Sequence, residues 1–300
     1  MSNDLILVTG AGGPGSIGRK VVERLRKTDL PVRAMVRQND DRAESLRATG
    51  AEVVIGDLTQ PDDVARALDG ARRLYFGMSV SSAYLEAAAT VASIARDQEG
   101  LEVLVNMSQM TVSQMTLTST SESRHQRLHL LTEHILSWSG LPVVEVRPTI
   151  FMENPLFAFA IAPSADGYRL QLPFGTGRTS PVSTEDVADV VAAILTDPAH
   201  HVGQVYELTG PVSRDLNGVA EEFAKAVGRP VAYVDIPFDG WVEFLNAVNL
   251  PDHLLDHVKT MARLHRENRY DRVSGDVQKV LGRPALDARD FAANNLQLFR

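Results

Sequence analysis

Two histidines and a glutamate in one short segment have the spacing of side chains that act together. The segment SRHQRLHLLTEHILSWSG begins at Ser123 and places His125, His129 and Glu133 at intervals of four residues. On a helix, these three side chains lie along one face. Such a face could bind a metal, move protons, hold a cofactor or simply face water.

A metal site is the most specific of these interpretations, and the surrounding residues argue against it. Zinc needs neutral imidazoles and a third ligand, and the H-E-x-x-H pattern of zinc proteases is missing. Arg124 and Arg127 flank the histidines and would repel a cation. We therefore predict no metal. For His125 and His134 the simpler interpretation is a polar helix face, with His125 frayed into solvent.

A glycine-rich loop is the second feature with chemical meaning. The stretch LVTGAGGPGSIGRKVVERL contains two overlapping G-x-G-x-x-G matches, so the motif alone does not fix which glycines act. Ile17, Val21 and Leu25 are spaced by four and predict the buried stripe of the following helix. Gly18 then lies at the start of this stripe, where helix and strand approach closely.

The register of that helix assigns the preceding glycines to the turn. Without a Cβ atom, Gly10 and Gly15 let backbone amides reach a pyrophosphate at the helix N-terminus. Pro14 has no N–H and cannot donate. The alternative is a glycine-rich turn without a ligand, but the strand before it and the helix after it favour a dinucleotide site.

The ends of the second and third predicted strands bear on which dinucleotide binds. An acid after the second strand usually takes the ribose 2′-hydroxyl of NAD, whereas an arginine suits the 2′-phosphate of NADP. Arg37 occupies this place, with Arg19 as a second candidate cation, unless Arg37 is only a solvated strand-end residue. We predict NADP(H) as the favoured cofactor and NAD(H) as the alternative. Asp57 ends the third strand and either contacts the cofactor or caps the next helix.

Composition excludes several classes of protein. The 300 residues are 44% hydrophobic and 23% charged, as in an ordinary soluble globular protein. The lack of cysteine excludes disulfides and thiolate chemistry, and the formal net charge of −8 argues against binding to nucleic acid or an anionic membrane. The opening MSNDLILVTG has no basic region before its short apolar run. We therefore expect a first strand there, no signal peptide and a cytoplasmic location.

Alternating strands and helices must position these residues. Six buried strands separated by helical patterns predict a parallel sheet with helices on both faces. The predicted strands are LILVTG, VRAMVR, EVVIGDL, RRLYFGM, LEVLVNMS and PVVEVRP. The predicted helices are GRKVVERLRK, DDRAESLRAT, PDDVARALDG, SAYLEAAATVASIARDQEG and the histidine segment. The Ser/Thr-rich stretch Thr111–Ser123 lacks periodicity and is predicted to be a mobile loop.

The pattern changes after Pro148. The stretch VSTEDVADVVAAILTD predicts a helix that opens with a capping box, with Ser183 or Thr184 as the cap. Further strands are predicted in GQVYELTGP and VAYVDIP, and further helices in LNGVAEEFAKAVGRP and PDHLLDHVKTMARLHREN. A smaller lobe of this kind is a common place for substrate recognition.

Taken in order, these motifs resemble the NmrA-like branch of the atypical short-chain dehydrogenases/reductases. The resemblance is carried by LVTGAGG…GSIGRKVVERL, VRAMVR, VVIGDL, TEHILSWSGLPVVEVRPTIFMEN, STEDVADVVAAIL and YELTGP, and it covers nearly the whole chain. It implies an α/β fold, a Rossmann doubly wound parallel sheet with a smaller C-terminal α+β substrate lobe. Residues 1–150 would be the NAD(P)-binding Rossmann domain, to which 181–210 returns, and 151–180 and 211–300 the substrate-binding lobe.

Two departures from the family pattern bear on the site. The usual loop reads T-G-A-x-G-x-x-G, whereas GGP separates Ala11 from Gly15 here, so the phosphate loop is expected to bulge. Reductases of the wider superfamily carry Tyr-x-x-x-Lys on the histidine helix. Counting back from Glu133 puts His129 in the lysine position and His125 in the tyrosine position. The resemblance directs His129 at the nicotinamide ribose, where it could donate a hydrogen bond or shuttle a proton.

The resemblance places further candidates at strand ends, around the nicotinamide and under the cofactor. The predicted catalytic residue is His129. The predicted cofactor-binding residues are Gly10, Gly15, Ser16, Ile17, Gly18, Arg37, Asp57, Leu58, Gly77, Met78, Ser108 and His129. Three aromatic residues could line a substrate pocket or pack in the core: Phe151, Phe157 and Phe159.

The sequence therefore predicts an NAD(P)H-dependent oxidoreductase that transfers hydride to a quinone-like or other planar aromatic acceptor. Such a transfer needs little beyond orientation, because the cofactor carries the chemistry. The missing Tyr/Lys pair counts against carbonyl reduction and sugar-nucleotide epimerisation. The alternative is a non-catalytic NADP(H)-binding redox-sensing regulator, since the family includes both. We expect a small-molecule substrate and no nucleic-acid or membrane partner, and the sequence leaves open whether the protein is a homo-oligomer.

Overall fold

The computed structural model describes residues 4–13, 15–79, 81–154, 160–247 and 251–299. The chain divides into two compact units. The first unit consists of Met1–Val112, Arg127–Arg147 and Val187–Tyr206, and the second of Ser113–Gln126, Pro148–Asp186 and Glu207–Arg300. None of the described helices is long and apolar enough to cross a membrane.

A seven-stranded sheet has the strand order of a Rossmann fold. Its strands are β1 (Leu5–Val8), β2 (Val32–Val36), β3 (Glu52–Ile55), β4 (Ala71–Phe76), β5 (Val103–Met107), β6 (Val143–Pro148) and β9 (Val205–Leu208). They lie in the order β3-β2-β1-β4-β5-β6-β9, and the pairings among β1 to β6 are parallel. This is a doubly wound sheet, and the predicted fold class is confirmed.

Helices connect these strands where the sequence predicts them. They are α1 (Ile17–Lys27), α2 (Asp41–Arg47), α3 (Pro61–Leu68), α4 (Tyr84–Gln98) and α5 (Arg124–Ser139). Apolar side chains of strands and helices share one buried cluster, in which Leu7, Leu74 and Leu104 from the sheet meet Val64 from α3 and Val91 from α4. This core holds the strand ends, and the residues that follow them, in fixed positions.

Helix α1 differs from its prediction in one detail. Its buried residues are Gly18, Val21, Val22 and Leu25, a stripe with the i, i+3, i+4, i+7 spacing of an amphipathic helix. Ile17 is only partly buried, because it lies in the first turn, at the rim of this stripe. The predicted stripe was therefore wrong at Ile17 and lacked Val22, whereas Gly18 does lie at its start.

The second unit contains a separate three-stranded sheet. Strands β7 (Ile161–Pro163), β8 (Tyr168–Leu172) and β10 (Val231–Asp235) lie in the order β10-β8-β7, with β10 parallel and β7 antiparallel to β8. Helix α6 (Thr184–Thr196) precedes β9, and the later helices are α7 (Leu216–Val227), α8 (Phe238–Ala247), α9 (Asp252–Arg266), α10 (Asp276–Leu281) and α11 (Ala288–Asn294). A smaller α+β part is confirmed, and its role in substrate binding stays a prediction.

The predicted loop after β5 begins later than expected. Met110–Gln114 forms a short 3₁₀ helix, and Thr111 and Val112 are buried in it. The Ser/Thr-rich sequence has no helical periodicity that could have predicted this turn. The prediction of a loop from Thr111 onward was therefore wrong over its first residues.

The cap of α6 is only half of the predicted capping box. Ser183 is the cap, and its hydroxyl accepts a hydrogen bond from the Glu185 amide at 3.1 Å. The acid that completes the cap comes from elsewhere in the second unit, because the Thr184 amide donates to the Glu153 carboxylate at 3.0 Å. Asp186, the acid close behind the cap, binds instead to the segment between α10 and α11.

Candidate cofactor site

Close backbone contacts fix the loop between β1 and α1. An added Cβ at Gly18 would lie 2.6 Å from the Thr9 carbonyl oxygen, and one at Gly10 would lie 2.4 Å from the Gly77 carbonyl oxygen. Real Cβ atoms do not approach backbone so closely, so both positions require glycine. The helix start, β1 and β4 can meet only because these side chains are absent.

Thr9 joins the ends of β1 and β4, a role that sequence reasoning missed. Its buried hydroxyl donates to the Gly77 carbonyl oxygen at 2.9 Å and accepts from the Gly77 amide at 3.0 Å. Met78 follows and packs against the hydrophobic cluster. Gly77 and Met78 are therefore held beside the glycine loop, where the sequence predicts that they pass under the cofactor.

Gly15 and Ser16 form the open side of the loop. Gly15 has a φ of +69°, and an added Cβ would meet no atom of the described residues within 4 Å. Ser16 is the N-cap of α1 and accepts a hydrogen bond from the Arg19 amide at 3.3 Å. Amides at a helix N-terminus attract anions, and the space beside Gly15 is open, so a side chain there would extend into it. The contact of Gly15 and Ser16 with a pyrophosphate stays a prediction. Pro14 lies outside the described residues.

Arg37 and Asp57 follow the neighbouring strands β2 and β3. The Arg37 Nε and Asp57 Oδ2 atoms are 3.9 Å apart and both side chains are exposed, so the pair contributes little. Hydrogen bonds from Thr59 and then the charge of Arg37 lower the pKa of Asp57. The alternative role of Asp57 as a helix cap is wrong, because Gln60 precedes α3 and Asp57 closes the turn before it. Leu58 packs against the core.

Arg19, the second candidate cation, is bound to α2. Its guanidinium donates to the Ser45 hydroxyl at 3.0 Å and to the Arg42 carbonyl oxygen at 2.8 Å. These two bonds hold α1 against α2 and use part of the donor capacity of the guanidinium. The structure therefore favours Arg37 over Arg19 as the residue for a 2′-phosphate.

A buried polar network lies where β5 and β6 meet α5. The Arg147 Nε atom donates to the Glu133 carboxylate at 2.9 Å, and the Ser108 hydroxyl donates to the same carboxylate. The side chains of Ser108 and Glu133 are buried. Because the Ser108 proton is used in this bond, its oxygen can offer a ligand only an acceptor.

Glu145 is an ionisable group in this network that sequence reasoning missed. It is 9% exposed and accepts a hydrogen bond from the Asn106 Nδ2 atom at 2.6 Å. Burial, followed by the charge of Glu133, raises the pKa of Glu145 to about 8. The buried Asn106 Oδ1 atom finds no partner among the described residues, and a protonated Glu145 would supply the missing donor. The available signal was a charged residue inside the apolar strand PVVEVRP.

We expect Glu145→Gln to stabilise the protein at alkaline pH. The folded state holds a proton at Glu145 up to about pH 8, whereas the ordinary value for an unfolded glutamate is 4.5. The contribution of Glu145 to stability is therefore lost as the pH rises through this window. Glutamine keeps the bond to Asn106 without the charge, so its stability gain should grow by ~2–4 kcal/mol between about pH 5 and about pH 8.5. Urea unfolding at both pH values measures it.

Glu102→Gln is the matched control for this measurement. Hydrogen bonds from Arg73 and Arg72 lower the pKa of Glu102, so its carboxylate stabilises the folded state at alkaline pH. Its removal should cost stability there instead of adding it. A gain from Glu145→Gln that is equal at the two pH values would contradict a buried, protonated Glu145.

His129 is buried and bonded to a tyrosine. It is 7% exposed, and its Nδ1 atom lies 3.1 Å from the Tyr84 hydroxyl. The two rings pack edge to face with centroids 5.0 Å apart. Tyr84 is the first residue of α4, and its contact with the histidine helix had no signal in the sequence. The predicted contact of His129 with a cofactor stays a prediction.

His125 does not fray into solvent, so that prediction was wrong. Its ring stacks on His257 of α9 with centroids 4.1 Å apart. Burial, followed by the nearby His257 and His253, lowers the pKa of His125 to about 3. Among the described residues, no group of three or more histidine, aspartate or glutamate side chains is arranged to hold a metal ion.

The parallel sheet brings most of the predicted residues to one edge. Gly10, Arg37, Asp57, Gly77 and Ser108 each follow the carboxyl end of a different strand, from β1 to β5. The carboxyl edge of an open parallel sheet is where such folds bind ligands. The arrangement brings an open helix start, an arginine after the neighbouring strand β2 and an acceptor after β5 to one edge, and their contacts with a dinucleotide stay predictions.

Of the three aromatic residues predicted to line a pocket or pack in the core, only Phe151 lies among the described residues. Phe151 forms an isolated backbone bridge with Val182 in the second unit, and its side chain is partly buried. Phe157 and Phe159 lie outside the described residues. The role of these rings stays a prediction.

Known proteins with similar sequence or structure include two reductases and a regulator. A family model described as NAD(P)H-binding matches residues 12–198. The NAD(P)H azoreductase of Xenophilus azovorans is 28% identical over 98% of this chain and 99% of its own. Quinone oxidoreductase 2 of Escherichia coli is 29% identical over 84% of this chain and 85% of its own. The crystal structure of NmrA, a negative transcriptional regulator, in complex with NADP has a TM-score of 0.80 at 17% identity, covering 98% of this chain and 95% of NmrA.

Proposed function

Because the chain belongs to the NAD(P)H-binding family, we propose that it is an NADPH-dependent oxidoreductase that transfers hydride to a quinone-like or other planar aromatic acceptor. The carrying observation is the open space beside Gly15 at the start of α1, with Arg37 at the end of the neighbouring strand β2. The azoreductase and quinone oxidoreductase relatives support a planar aromatic acceptor. NADH is the alternative cofactor.

Different residues of the first unit would bind different parts of the cofactor. The amides at the start of α1, beside Gly15 and Ser16, would take the pyrophosphate, and Arg37 would take the 2′-phosphate. Asp57 lies at the next strand end, within reach of the same part of the nucleotide. Gly77 and Met78, at the end of β4, would pass under the cofactor. When bound, the cofactor supplies the hydride.

Two side chains would act near the nicotinamide. Ser108 offers an acceptor, because its proton is donated to Glu133. His129 would contact the nicotinamide ribose, and its Nδ1 atom lies 3.1 Å from the Tyr84 hydroxyl. Reduction of a quinone needs one proton beyond the hydride, which either His129 or water can supply. The missing Tyr-x-x-x-Lys pair is therefore compatible with this reaction.

The proposed function is tested by NADPH oxidation against a panel of quinones and azo dyes. We expect turnover with planar aromatic acceptors and little with aliphatic aldehydes, which need a positioned acid. Gly15→Val serves as the negative control, because it should not bind the cofactor. Tight NADPH binding without oxidation by any member of the panel would contradict the proposal.

His129→Ala should weaken NADPH binding and slow the reaction. Loss of one hydrogen bond to the ribose corresponds to a ~2–10-fold higher Kd. His129→Gln should keep part of the binding, because glutamine retains a donor. His125→Ala should change the Kd less, because that ring stacks on His257. Fluorescence titration and steady-state rates measure these effects, and an unchanged Kd and rate in His129→Ala would show that His129 touches neither ligand.

The second candidate function is a non-catalytic NADP(H)-binding redox-sensing regulator. It is favoured by the absence of Tyr-x-x-x-Lys from the helix that carries this pair in reductases, and by the likeness of the fold to NmrA. This candidate predicts binding of both NADP⁺ and NADPH without turnover. It also predicts that the two redox forms give different patterns of limited proteolysis.

A further inference from the structure

Gln109 carries a side-chain donor that has no partner in the part of the chain that the structure describes. The residue follows Ser108, directly after strand β5, and is partly buried. Its Oε1 atom accepts a hydrogen bond from the Thr111 hydroxyl at 2.9 Å. The Nε2 atom of the same amide is buried and finds no hydrogen-bond partner among the described residues. One half of the amide is therefore satisfied and the other half is not.

The backbone around Gln109 is held on both sides. Before it, the Ser108 amide donates to the Val146 carbonyl oxygen of β6 at 2.8 Å. After it, the Gln109 carbonyl oxygen accepts from the Val112 amide at 3.3 Å, at the start of the 3₁₀ helix Met110–Gln114. The side chain of Val112 is buried. Main-chain bonds and packing therefore set the position of Gln109, and the unpaired donor has a fixed support.

A buried donor without a partner destabilises a protein. In water an amide N–H is hydrogen-bonded, and burial without a partner costs free energy that a new bond would recover. Most buried polar side-chain atoms in folded proteins have a partner, so an exception such as the Gln109 Nε2 atom requires an explanation. Because this atom is a neutral donor, the group that completes it is an acceptor, and a carbonyl oxygen is a matching one.

Gln109 belongs to the edge of the sheet at which the cofactor and its acceptor are proposed to meet. It follows the carboxyl end of β5, and such strand ends are where open parallel sheets bind ligands. The neighbouring Ser108 donates its hydroxyl proton to Glu133, so its oxygen can offer a ligand only an acceptor. The side chain of Gln109 therefore adds to this strand end the donor that a carbonyl group needs.

We propose that the Gln109 Nε2 atom donates a hydrogen bond to a carbonyl oxygen of the quinone and stabilises the negative charge that forms there during reduction. The inference rests on the proposed function, which places the acceptor at this edge. The hydride brings one hydrogen and an electron pair from NADPH, which is oxidised to NADP⁺. The quinone becomes a hydroquinone monoanion, in which one oxygen has gained an O–H bond and the other carries the charge. A proton from water then forms the second O–H bond.

Such a donor accelerates the reaction because its bond strengthens as the charge develops. A neutral amide binds an oxyanion more strongly than an uncharged carbonyl oxygen. An interaction that is stronger in the transition state than in the ground state raises kcat. Gln109 would act in this way without giving up a proton of its own.

The first measurement tests the unpaired donor without any ligand. Gln109→Met keeps the length of the side chain and removes the amide, so the loss of an unpaired donor should offset the loss of the bond to Thr111. The Tm should fall by less than about 2 °C or rise. Gln126→Met is the matched control, because Gln126 is buried and its Oε1 atom accepts from the Ser123 amide at 2.9 Å. Its Tm should fall by roughly 2–6 °C, and an equal fall in both variants would overturn the unpaired donor.

The second measurement is the rate of NADPH oxidation by a naphthoquinone. Loss of the donor should lower kcat/KM about ten- to a hundredfold in Gln109→Met, mostly through kcat, and change the Kd for NADPH by less than about twofold. Gln109→Glu keeps an acceptor for Thr111 but puts an oxygen in place of the donor, so its kcat/KM should fall at least as far. Gln98→Met is the control, because that exposed amide on α4 donates to the Ala65 carbonyl oxygen at 3.0 Å. It should leave the rate unchanged.

The third measurement identifies the ligand that the donor binds. Proton–nitrogen spectra of protein with labelled glutamine side chains show the amide NH₂ groups, and Gln109→Met, or Gln109→Glu if the first variant fails to fold, assigns the signals of Gln109. Naphthoquinone added to the complex with NADP⁺ should shift these signals, and NADP⁺ alone should not. A shift with NADP⁺ alone and none on addition of the quinone would assign the donor to the cofactor and overturn the inference.

These measurements separate a failure of the inference from a failure of the proposed function. If Gln109→Met reduces the quinone as fast as Gln98→Met does, the inference is overturned while the proposed function stands. If the unmodified protein oxidises no NADPH with any quinone, the proposed function fails. The role of Gln109 in the reaction then fails with it, whatever the thermal unfolding shows.

Discussion

Gly15→Val should abolish NADPH binding and leave the first unit folded. Gly15 has a φ of +69°, and an added Cβ would meet no atom of the described residues within 4 Å. The valine would fill the space proposed for the pyrophosphate without displacing the protein. Loss of two amide–phosphate bonds of ~1.5–3 kcal/mol each would raise the Kd ~100-fold or more. The left-handed backbone would cost the fold only ~1–2 kcal/mol.

Two further glycine variants test the register of the loop. Gly18→Leu should also abolish binding, but through damage to the fold, because its Cβ would lie 2.6 Å from the Thr9 carbonyl oxygen. Gly12→Ala should be mild, because its Cβ would make an ordinary contact of 3.7 Å with the Val36 side chain. Fluorescence titration gives the Kd, and thermal unfolding reports the fold of each variant. The assigned register is wrong if Gly12→Ala proves the most damaging change.

Arg37→Ala should remove most of the preference for NADPH over NADH. The Arg37 side chain is 63% exposed, and its pair with Asp57 is long, so a phosphate can replace the carboxylate at small cost. A charged hydrogen bond contributes ~1.5–3 kcal/mol, which corresponds to a ~10–100-fold higher Kd for NADPH in the variant. The Kd for NADH should change by less than about twofold, because NADH has no 2′-phosphate.

Arg47→Ala is the matched control for the loss of one positive charge. Arg47 is a partly exposed arginine on α2 that pairs with Glu44, and it is not among the predicted cofactor-binding residues. Its removal should affect both nucleotides equally and slightly, through the general electrostatic field. Equal affinities of the unmodified protein for NADPH and NADH would contradict the assignment of Arg37 to the 2′-phosphate.

Local sequence patterns were sufficient to predict the strands of the large sheet and the helices between them. Buried parallel strands need nearly continuous apolar runs, and LILV at β1 and VLVNM at β5 are such runs. Helix α1 has its apolar residues on one face and its cap, Ser16, directly before them. Both signals depend on neighbours in sequence. For this reason both signals can be recognised in the sequence before the fold is known.

Two of the local predictions failed where a distant residue completes the structure. His125 is covered by the ring of His257, which belongs to α9. The cap of α6 is completed by Glu153, far upstream of the helix. A local sequence pattern does not include a residue that is distant in sequence and makes its contact only in the folded chain.

The candidate site, too, has features that the sequence predicted and features that only the folded structure shows. The sequence by itself determined that Gly10, Arg37 and Ser108 follow strands of one sheet, because strand–helix alternation puts the carboxyl ends of parallel strands at one edge. Only the tertiary structure decided the chemical state of the groups near that edge. The Ser108 proton goes to a glutamate 25 residues away, Glu145 is bonded to an amide 39 residues away, and His129 is bonded to a phenol 45 residues away. Hydrogen-bond direction and desolvation depend on such distant partners. They can therefore be determined only from the folded structure, in which the helices pack on the sheet.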